Sequence, residues 1–569
     1  MTATIRVGNA SGFYGDRFLA VEEMLTGGDL DYLTGDYLAE LTMLILGRDR
    51  LKDPKLGYAK TFLRQMENSL GTALDQGVKI VSNAGGVNPA GLAQALTELA
   101  DKLGLSANIA YIDGDDLIAD AAELGLGSPL TANAYLGGFG IAAALQSGAD
   151  IVVTGRVTDA SLTVGPAVAH FGWSPQDLDQ LAGAVAAGHI IECGTQATGG
   201  NYSFFTEIAD LRHPGFPIAE IAADGSSIIT KHEDTGGAVT VETVTAQLLY
   251  EIAGPRYLGP DVTTRMDSVL LTDAGPDRVQ VSGVRGEAPP DTLKVSLNHL
   301  AGFRNEITMV LTGLDIDAKA ALVRDQFESA LDPRPADIAW TLTRLDQPDA
   351  ATQQQASALL HCVAKDPDQK VVGRQFSSAA VELALASYPG FTMTAPPGSG
   401  VPFAVFEAGY VPARSVSHRV HLADGSQQLV EPSPCARGDA PGSDGAVSGS
   451  QTSGSAWGPT RRAPLGEIAG ARSGDKGGNA NVGVWVRNPD HFDWLTTILT
   501  VEHFKTLIPE AAALEVRRHL LPNLSAINFV VEGILGRGVA DNVRFDPQAK
   551  GLGEWLRSRH VAIPVEFGE

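Results

Sequence analysis

The stretch VKIVSNAGGVNPAGLAQALTELADKLG, Val78 to Gly104, sets the reading of the fold. A short Val/Ile run gives way to a loop of Asn and Gly, and after Pro89 apolar residues return at helical spacing. Proline suits the first turn of a helix, where its missing N–H costs nothing. The pattern is strand, polar loop, helix. It recurs as TIRVGNASGFYGDRFLAVEEML (Thr4–Leu25) and ADIVVTGRVTDASLTVGPAVAHFG (Ala149–Gly172). Continuous Ile/Val runs are strands buried on both faces, so residues 1–235 are predicted to form a parallel α/β sheet with helices on both faces. Ligands of such sheets sit beyond the carboxyl ends of the strands, which would gather the polar loops along one edge.

From Gly236 to Pro434, Val/Thr-rich runs such as GGAVTVETVTAQLLYEI and VPFAVFEAGYVP predict an α+β continuation with antiparallel pairing. Residues 1–434 are thus read as one large domain. Residues 435–463, rich in Gly, Ser, Ala and Pro, read as a flexible linker. Residues 464–569 read as a small α/β sandwich: strand PLGEIAGARS, a polar loop, strand ANVGVWVR, helices from about His491 to Leu507, strand AINFVVEGIL, and a closing helix begun by the Asp-Pro of DPQAKGLGEWLRSRH.

With 569 residues, the chain exceeds what one hydrophobic core holds. Its 44% hydrophobic and 19% charged residues suit a globular protein. A net charge of -25 argues against nucleic acid as a partner, since that needs a basic stripe. Cys193, Cys362 and Cys435 form neither a disulfide framework nor a metal spacing, and a reducing cytoplasm is the expected home. No signal-peptide pattern opens the chain, and no apolar run approaches the ~20 residues of a spanning helix.

Several loops carry candidate chemistry. GNASGFYGDR lacks the G-x-G-x-x-G order of a dinucleotide fingerprint, but its amides, with Asp16 and Arg17, suit an anion as well as they suit a plain tight turn. Asp36 and Glu40 stand at i and i+4; for Glu40 a charged helix face is the simpler account. Asn83 and Asn88 flank a Gly-Gly turn, as oxyanion donors or as ordinary turn formers. Arg156 and Asp159 follow a buried strand, with Ser161 opening the next helix. An arginine there suits a phosphate or carboxylate; its rival is an ion pair with Asp159 that only pins the loop.

GHIIECGTQATGGNYS is the most chemical stretch. Glu192 ends an apolar run, and a buried glutamate has a raised pKa fit for acid or base work. Gln196, Gly199, Gly200 and Asn201 follow it. Cys193 lacks a paired histidine: if the run is a strand, His189 points elsewhere, and most lone cysteines are inert. In the tail, ARSGDKGGNANVGVWV (Ala471–Val486) sets Arg472, Ser473, Asp475 and Lys476 among glycines, as an anion clamp or a Gly-rich hairpin.

Together these stretches resemble the acyclic terpene utilisation (AtuA-like) family. The likeness is carried by GFYGDR, DYLTGDYLAELTM, SNAGGVNP, VVTGRVTDASLTVGPAVAHFGW, GHIIECGTQATGGNYS, GFPIAEIAADGS, TGGAVTVETVTAQLLYEI and DTLKVS. The tail's ARSGDKGGNANVGV and LPNLSAINFVVEGIL resemble the small ferredoxin-like domain that often follows. The resemblance implies a part in catabolism of citronellol- and geraniol-type branched terpenoids, a pathway that works on acyl-CoA thioesters with a biotin carboxylase, a hydratase and dehydrogenases. It carries over no catalytic residues.

The residues themselves suggest proton transfer beside a carbonyl, of hydratase or lyase type, on an acyl-CoA or related carboxylate. Glu192 would be the acid/base and Asp159 a second carboxylate. Asn83, Asn88 and loop amides would stabilise an enolate, Arg156 would hold an anionic group, and Arg472 and Lys476 would close over it. No cofactor or metal site is read, CoA entering only as part of the substrate. The alternative is a non-catalytic acyl-CoA-binding or assembly subunit of a carboxylase pathway. A homo-oligomer is expected.

Overall fold

The computed structural model describes residues 4–435 and 457–567, except the side chains of Glu40 and Leu41. Most of the linker expected at 435–463, and the reading of Glu40, fall outside the described residues. The strand–loop–helix units form as expected. Strand β1 (Thr4–Asn9) leads to α1 (Ala20–Thr26), and β2 (Tyr32–Gly35) to α2 (Glu40–Lys52) and α3 (Lys60–Gln76). β3 (Lys79–Ser82) leads to α4 (Pro89–Leu103) and β4 (Ile109–Asp113); β5 (Thr131–Ala134) leads to α5 (Phe139–Gln146); β6 (Ile151–Thr154) leads to α6 (Ser161–Phe171) and α7 (Leu178–Ile191).

Strands β1, β2, β3, β6 and β4 lie side by side in that order, all parallel. Antiparallel strands extend both edges into a sheet of eleven, with β7 (Pro217–Ala222) and β8 (Ser227–Lys231) next to β1 and His418–His421 next to β4. Side chains alternate across this sheet, as the pleat requires. Ile80 and Val153 join the core under α3 and α4, while Val81 and Val152 join the core under α5. Both faces are therefore buried, and the polar groups of each strand unit are left to the loops at its ends.

The described residues make two compact units. One comprises Met1–Asn298, Phe406–Val539 and Asp546–Glu569; the other comprises His299–Val405 and Ala540–Phe545. In the second, Asp337–Thr343, Ser357–Asp366 and the later half of the long strand Thr292–Thr312 pair antiparallel. Helices Ile316–Ala330 and Phe376–Glu382 share its core, where the Phe327 and Phe376 rings meet edge to face at 5.0 Å. This is the antiparallel α+β character expected after Gly236.

Within the first unit the tail forms a four-stranded antiparallel sheet, ordered Ala469–Lys476, Asn479–Val486, Ala526–Val531, Val516–Leu521. It has an apolar core of its own, with Val484, Trp494, Phe504 and Phe529. Two expectations are corrected here. The polar run Arg472–Lys476 is not a loop but the end of a strand, and only Gly477 and Gly478 make the turn. The closing helix starts at Leu552, not at Asp546–Pro547; the Asp546 carboxylate instead accepts the N–H groups of Lys550 and Gly551 ahead of it. No helix among the described residues is long and apolar enough to cross a membrane.

The Gly-Gly turn after β3 shows why that loop needs glycine. A Cβ on Gly85 would stand 2.4 Å from the Thr154 carbonyl oxygen and 2.7 Å from the Pro89 Cβ, so the β3 loop passes β6 at backbone contact. Overpacking of this kind costs roughly 1–3 kcal/mol. Gly85→Ala is expected to lower stability by about that amount in denaturant unfolding, and an unchanged midpoint would show that the loop can shift freely.

Candidate functional site

The loops that follow β1, β2, β3, β6 and β4 meet at one edge of the sheet. Their junction is made of buried polar groups. Asp36, just past β2, receives a 2.6 Å hydrogen bond from the Asn83 amide and a 3.0 Å bond from Leu38 N–H, and its own N–H bonds to Ser11 O. Asn83 Oδ1 in turn accepts Tyr37 N–H at 2.8 Å. Past β6, the Arg156 N–H donates to Asp115 Oδ2 at 2.8 Å, an oxygen that also accepts from Asn133 at 2.8 Å. The Arg156 guanidinium is 3% exposed. It pairs with Asp159 Oδ1 at 2.7 Å, reaches Leu38 O at 3.5 Å, and lies 4.3 Å from the Tyr135 ring centre. Burial opposes its charge, but Asp159, Tyr135 and Asp36 outweigh that and hold its pKa above the ordinary value.

Glu192 arrives from the other side. The apolar run before it, which the sequence leaves open between strand and helix, is helix α7, buried almost all round. That difference decides what His189 does. On a helix, residues three apart share a face, so His189 Nδ1 lies 3.0 Å from Glu192 Oε1 instead of pointing elsewhere. Burial, then Asp159 and Glu251, push the Glu192 carboxyl well above its usual range, against the pull of Lys476 and Arg156. Burial and Lys476 push His189 down to about 4. Asp36 is likewise raised by burial and by Asp159. Two carboxyls of raised proton affinity thus lie near the Asp159–Arg156 ion pair. Burial, Glu192, Glu251 and Asp36 raise the Cys193 thiol well above its ordinary value, which suits the inert reading.

The tail completes the cluster. Along the strand Ala469–Lys476, Arg472, Gly474 and Lys476 share a face. The Arg472 guanidinium stacks 4.4 Å from the Tyr250 ring centre, Lys476 Nζ donates to Glu251 O at 2.8 Å, and a Cβ on Gly474 would strike the Tyr250 ring at 2.4 Å. Lys550 bonds the Tyr250 hydroxyl. Arg472 is 7% exposed; it reaches Asn201 O only at 3.4 Å, and its Nη2 has no hydrogen-bond partner. Arg156 Nε, His189 Nε2, Glu192 Oε2 and Gln196 Oε1 are also buried without partners. Buried polar atoms are nearly always satisfied in proteins, so this concentration marks a place where a ligand or water belongs.

The structure therefore brings Glu192, Asp159, Arg156, Arg472 and Lys476 into one electrostatic neighbourhood, with Asn83 acting through Asp36. Other candidates are engaged elsewhere. Asn88 caps α4, accepting Gly91 N–H and donating to the carbonyls of Pro54, Lys55 and Leu56, so it has no amide proton for an enolate. Ser473 faces the tail's own core and bonds Ala549 O and Gly553 N–H. Asp16 accepts Gly12 and Arg17 N–H, while Arg17 is held by Pro214 O and Glu23. Ser161 bonds Thr158. Gly199 and Gly200 shape a turn, with Gly199 at φ +102°, that ends at Asn201, whose carbonyl faces Arg472. Asp475 lies 3.8 Å from Lys550. Among the described residues no group of three or more His, Cys, Asp or Glu is placed to hold a metal ion.

A mixed α/β sheet with a polar junction at its carboxyl edge and a small ferredoxin-like domain adding cations defines the class of protein. Two sequence profiles match the chain: the acyclic terpene utilisation family protein AtuA over residues 5–422 and the AtuA ferredoxin-like domain over residues 463–562. The chain belongs to the acyclic terpene utilisation family. No curated protein and no solved structure matches it.

Asp115, the anchor of Arg156, offers a test of this junction. Burial raises its pKa to about 7, so between about pH 4 and 7 the folded chain holds a proton the unfolded chain releases, and stability falls as pH rises. Asp115→Asn removes that dependence. Its stability relative to the parent is expected to rise by up to about 1.4 kcal/mol per pH unit across this window. A constant difference in unfolding free energy from pH 4 to 8 would contradict the assignment.

Proposed function

We propose that this protein acts on the acyl thioester or free acid of a branched terpenoid chain, moving a proton beside the carbonyl. The observation that carries the reading is Glu192: a buried carboxyl with an unpartnered oxygen, raised pKa and a neighbouring ion-paired carboxylate, Asp159. Carboxyls whose environments push their proton affinities apart are how one site supplies both an acid and a base. In the dehydration direction, Glu192 gives its proton to a leaving hydroxyl, the C–O bond breaks and water departs. Asp159 takes the proton from the carbon next to the carbonyl as the C=C bond forms. Hydration is the reverse.

Arg472 and Lys476 suit the anionic end of such a substrate, because a guanidinium with a free Nη2 is the natural partner of a carboxylate or phosphate. Asp36, neutral beside Asn83, can donate a hydrogen bond to a developing enolate oxygen, and Arg156 adds positive charge. The family's link to acyclic terpene utilisation supports a branched hydrocarbon substrate.

The test is a thermal-shift screen with branched acyl-CoA thioesters, the free acids and CoA, followed by turnover assays. A true ligand at ~100 times its Kd adds about 2.7 kcal/mol of stability. Glu192→Gln is expected to keep binding and lose turnover by roughly 10²–10⁴-fold. Arg472→Ala is expected to weaken binding by roughly 10²-fold, as loss of a buried charge partner does. Binding with no turnover by the parent chain would favour an acyl-CoA-binding subunit, and no shift with any of these compounds would end the proposal.

A further inference from the structure

His189 is the one member of the junction whose type and place the proposed chemistry does not use. It is 1% exposed, sits on the same face of α7 as Glu192, and bonds Glu192 Oε1 through Nδ1. The Leu248 carbonyl also faces the ring, and Tyr257 covers it at a centroid distance of 5.0 Å. Nδ1 thus has Glu192 Oε1, and the Leu248 carbonyl is the backbone acceptor beside the ring, although Nε2 makes no full hydrogen bond.

We propose that His189 and Glu192 hold a single proton between them at neutral pH, carried on Glu192 Oε1 and hydrogen-bonded to a neutral His189 Nδ1, so that the site meets its ligand in the acid form. The inference rests on the reading of Glu192 as the acid and names the residue that keeps it so.

Geometry and charge argue for this state over its two rivals. An imidazolium–carboxylate pair would bury two ions without water, a cost their attraction seldom repays. Lys476 stands against a positive His189 and Asp159 and Glu251 against a negative Glu192, while Glu251 and Asp159 favour the imidazolium and Lys476 the carboxylate; burial, the largest cause for both groups, decides for the neutral pair. Arg156 favours the anion, but it is already paired with Asp159 at 2.7 Å. A neutral ring with its proton on Nδ1 would turn a lone pair toward the Leu248 carbonyl. With the proton on the other nitrogen, Nδ1 becomes an acceptor, and the only hydrogen that can fill the 3.0 Å gap belongs to Glu192. Cys193 and Tyr257 also lie near Glu192, and burial is the first cause that raises both of their pKa values.

Delivery then needs only rotation about the last torsion of Glu192, a soft two-fold one. It moves the proton from Nδ1 toward the side where Oε2 lies without a partner. His189 is a positioning residue in this scheme: it touches the acid and not the substrate.

Infrared spectroscopy of the ligand-free full chain tests the assignment without any substrate, so it stands apart from the binding and turnover screens. Glu192 is the only buried glutamate among the described residues. Carbon-13 labelling of glutamate should therefore reveal, at pH 7, an isotope-shifted carbonyl band of a protonated acid. Glu192→Gln should abolish that band, and the labelled parent chain identifies it even if the variant does not fold. His189→Leu should move the band to the frequency of an unbonded acid, whereas His189→Gln, which keeps an acceptor, should hold it near its parent position. Absence of a protonated glutamate band at pH 7 would overturn the proposal. A band that His189→Leu leaves unmoved would overturn the role of His189.

Discussion

Everything at the carboxyl edge of the sheet is arranged around one buried cation. Arg156 lies where β6 ends, with its backbone fixed by Asp115 and its guanidinium between Asp159, the Leu38 carbonyl and the Tyr135 ring. A charge so far from water is tolerable only with hydrogen bonds and counter-charge around it. Those partners come from the segments after β2, β4, β5 and β6, so satisfying Arg156 fixes where four strand ends stand relative to one another. Among the described residues Asp159 is the only carboxylate paired with its guanidinium. Asp36 and Glu192, desolvated by burial, have raised proton affinity instead.

The tail reaches this junction through a segment that is itself constrained. Glu251 has a left-handed backbone, φ +57°, which a non-glycine residue adopts only when its surroundings impose it. Asn481 imposes it: its side chain accepts Glu251 N–H at 2.9 Å and donates to Leu249 O at 2.7 Å, while Asn528 donates to Ile252 O at 3.1 Å. Two buried asparagines on neighbouring tail strands thus peg the end of helix Val241–Leu248 and aim Tyr250 at Arg472. The tail is part of the site's framework and not an appendage to it.

The sheet and its polar edge were legible because periodicity and loop chemistry agree there: apolar runs, then Gly and Asn, then helical spacing. At α7 the sequence leaves strand and helix open for a physical reason. AGAVAAGHII is small and apolar on every side, so a helix buried all round and a buried strand share one pattern. Glu192 sits at the end of the run either way, but the His189 contact needs the three-residue helical step. Asn88 and Ser473 were misjudged for a different reason. The groups that would bind a ligand are also those that cap helices and pin turns, and only the partners in space tell the two apart. Tyr250, Glu251 and Asn481 carried no local signal at all, since their roles come from residues more than two hundred positions away.

The charge of the whole chain bears on why the cations are buried. With a net charge of -25, the distant field repels an anionic ligand. That field is screened beyond a Debye length of about 8 Å in physiological salt, so recognition has to be local and the local charge has to be shielded from water and ions. Placing Arg472 and Lys476 four residues apart on one face of a strand, over the faces of Tyr250 and Tyr257, does both. The rings exclude water and favour a cation without neutralising it, where a carboxylate would cancel it. An aromatic floor under a buried guanidinium leaves its charge available to a ligand, and that is the feature that separates Arg472 from Arg156, whose charge Asp159 already answers.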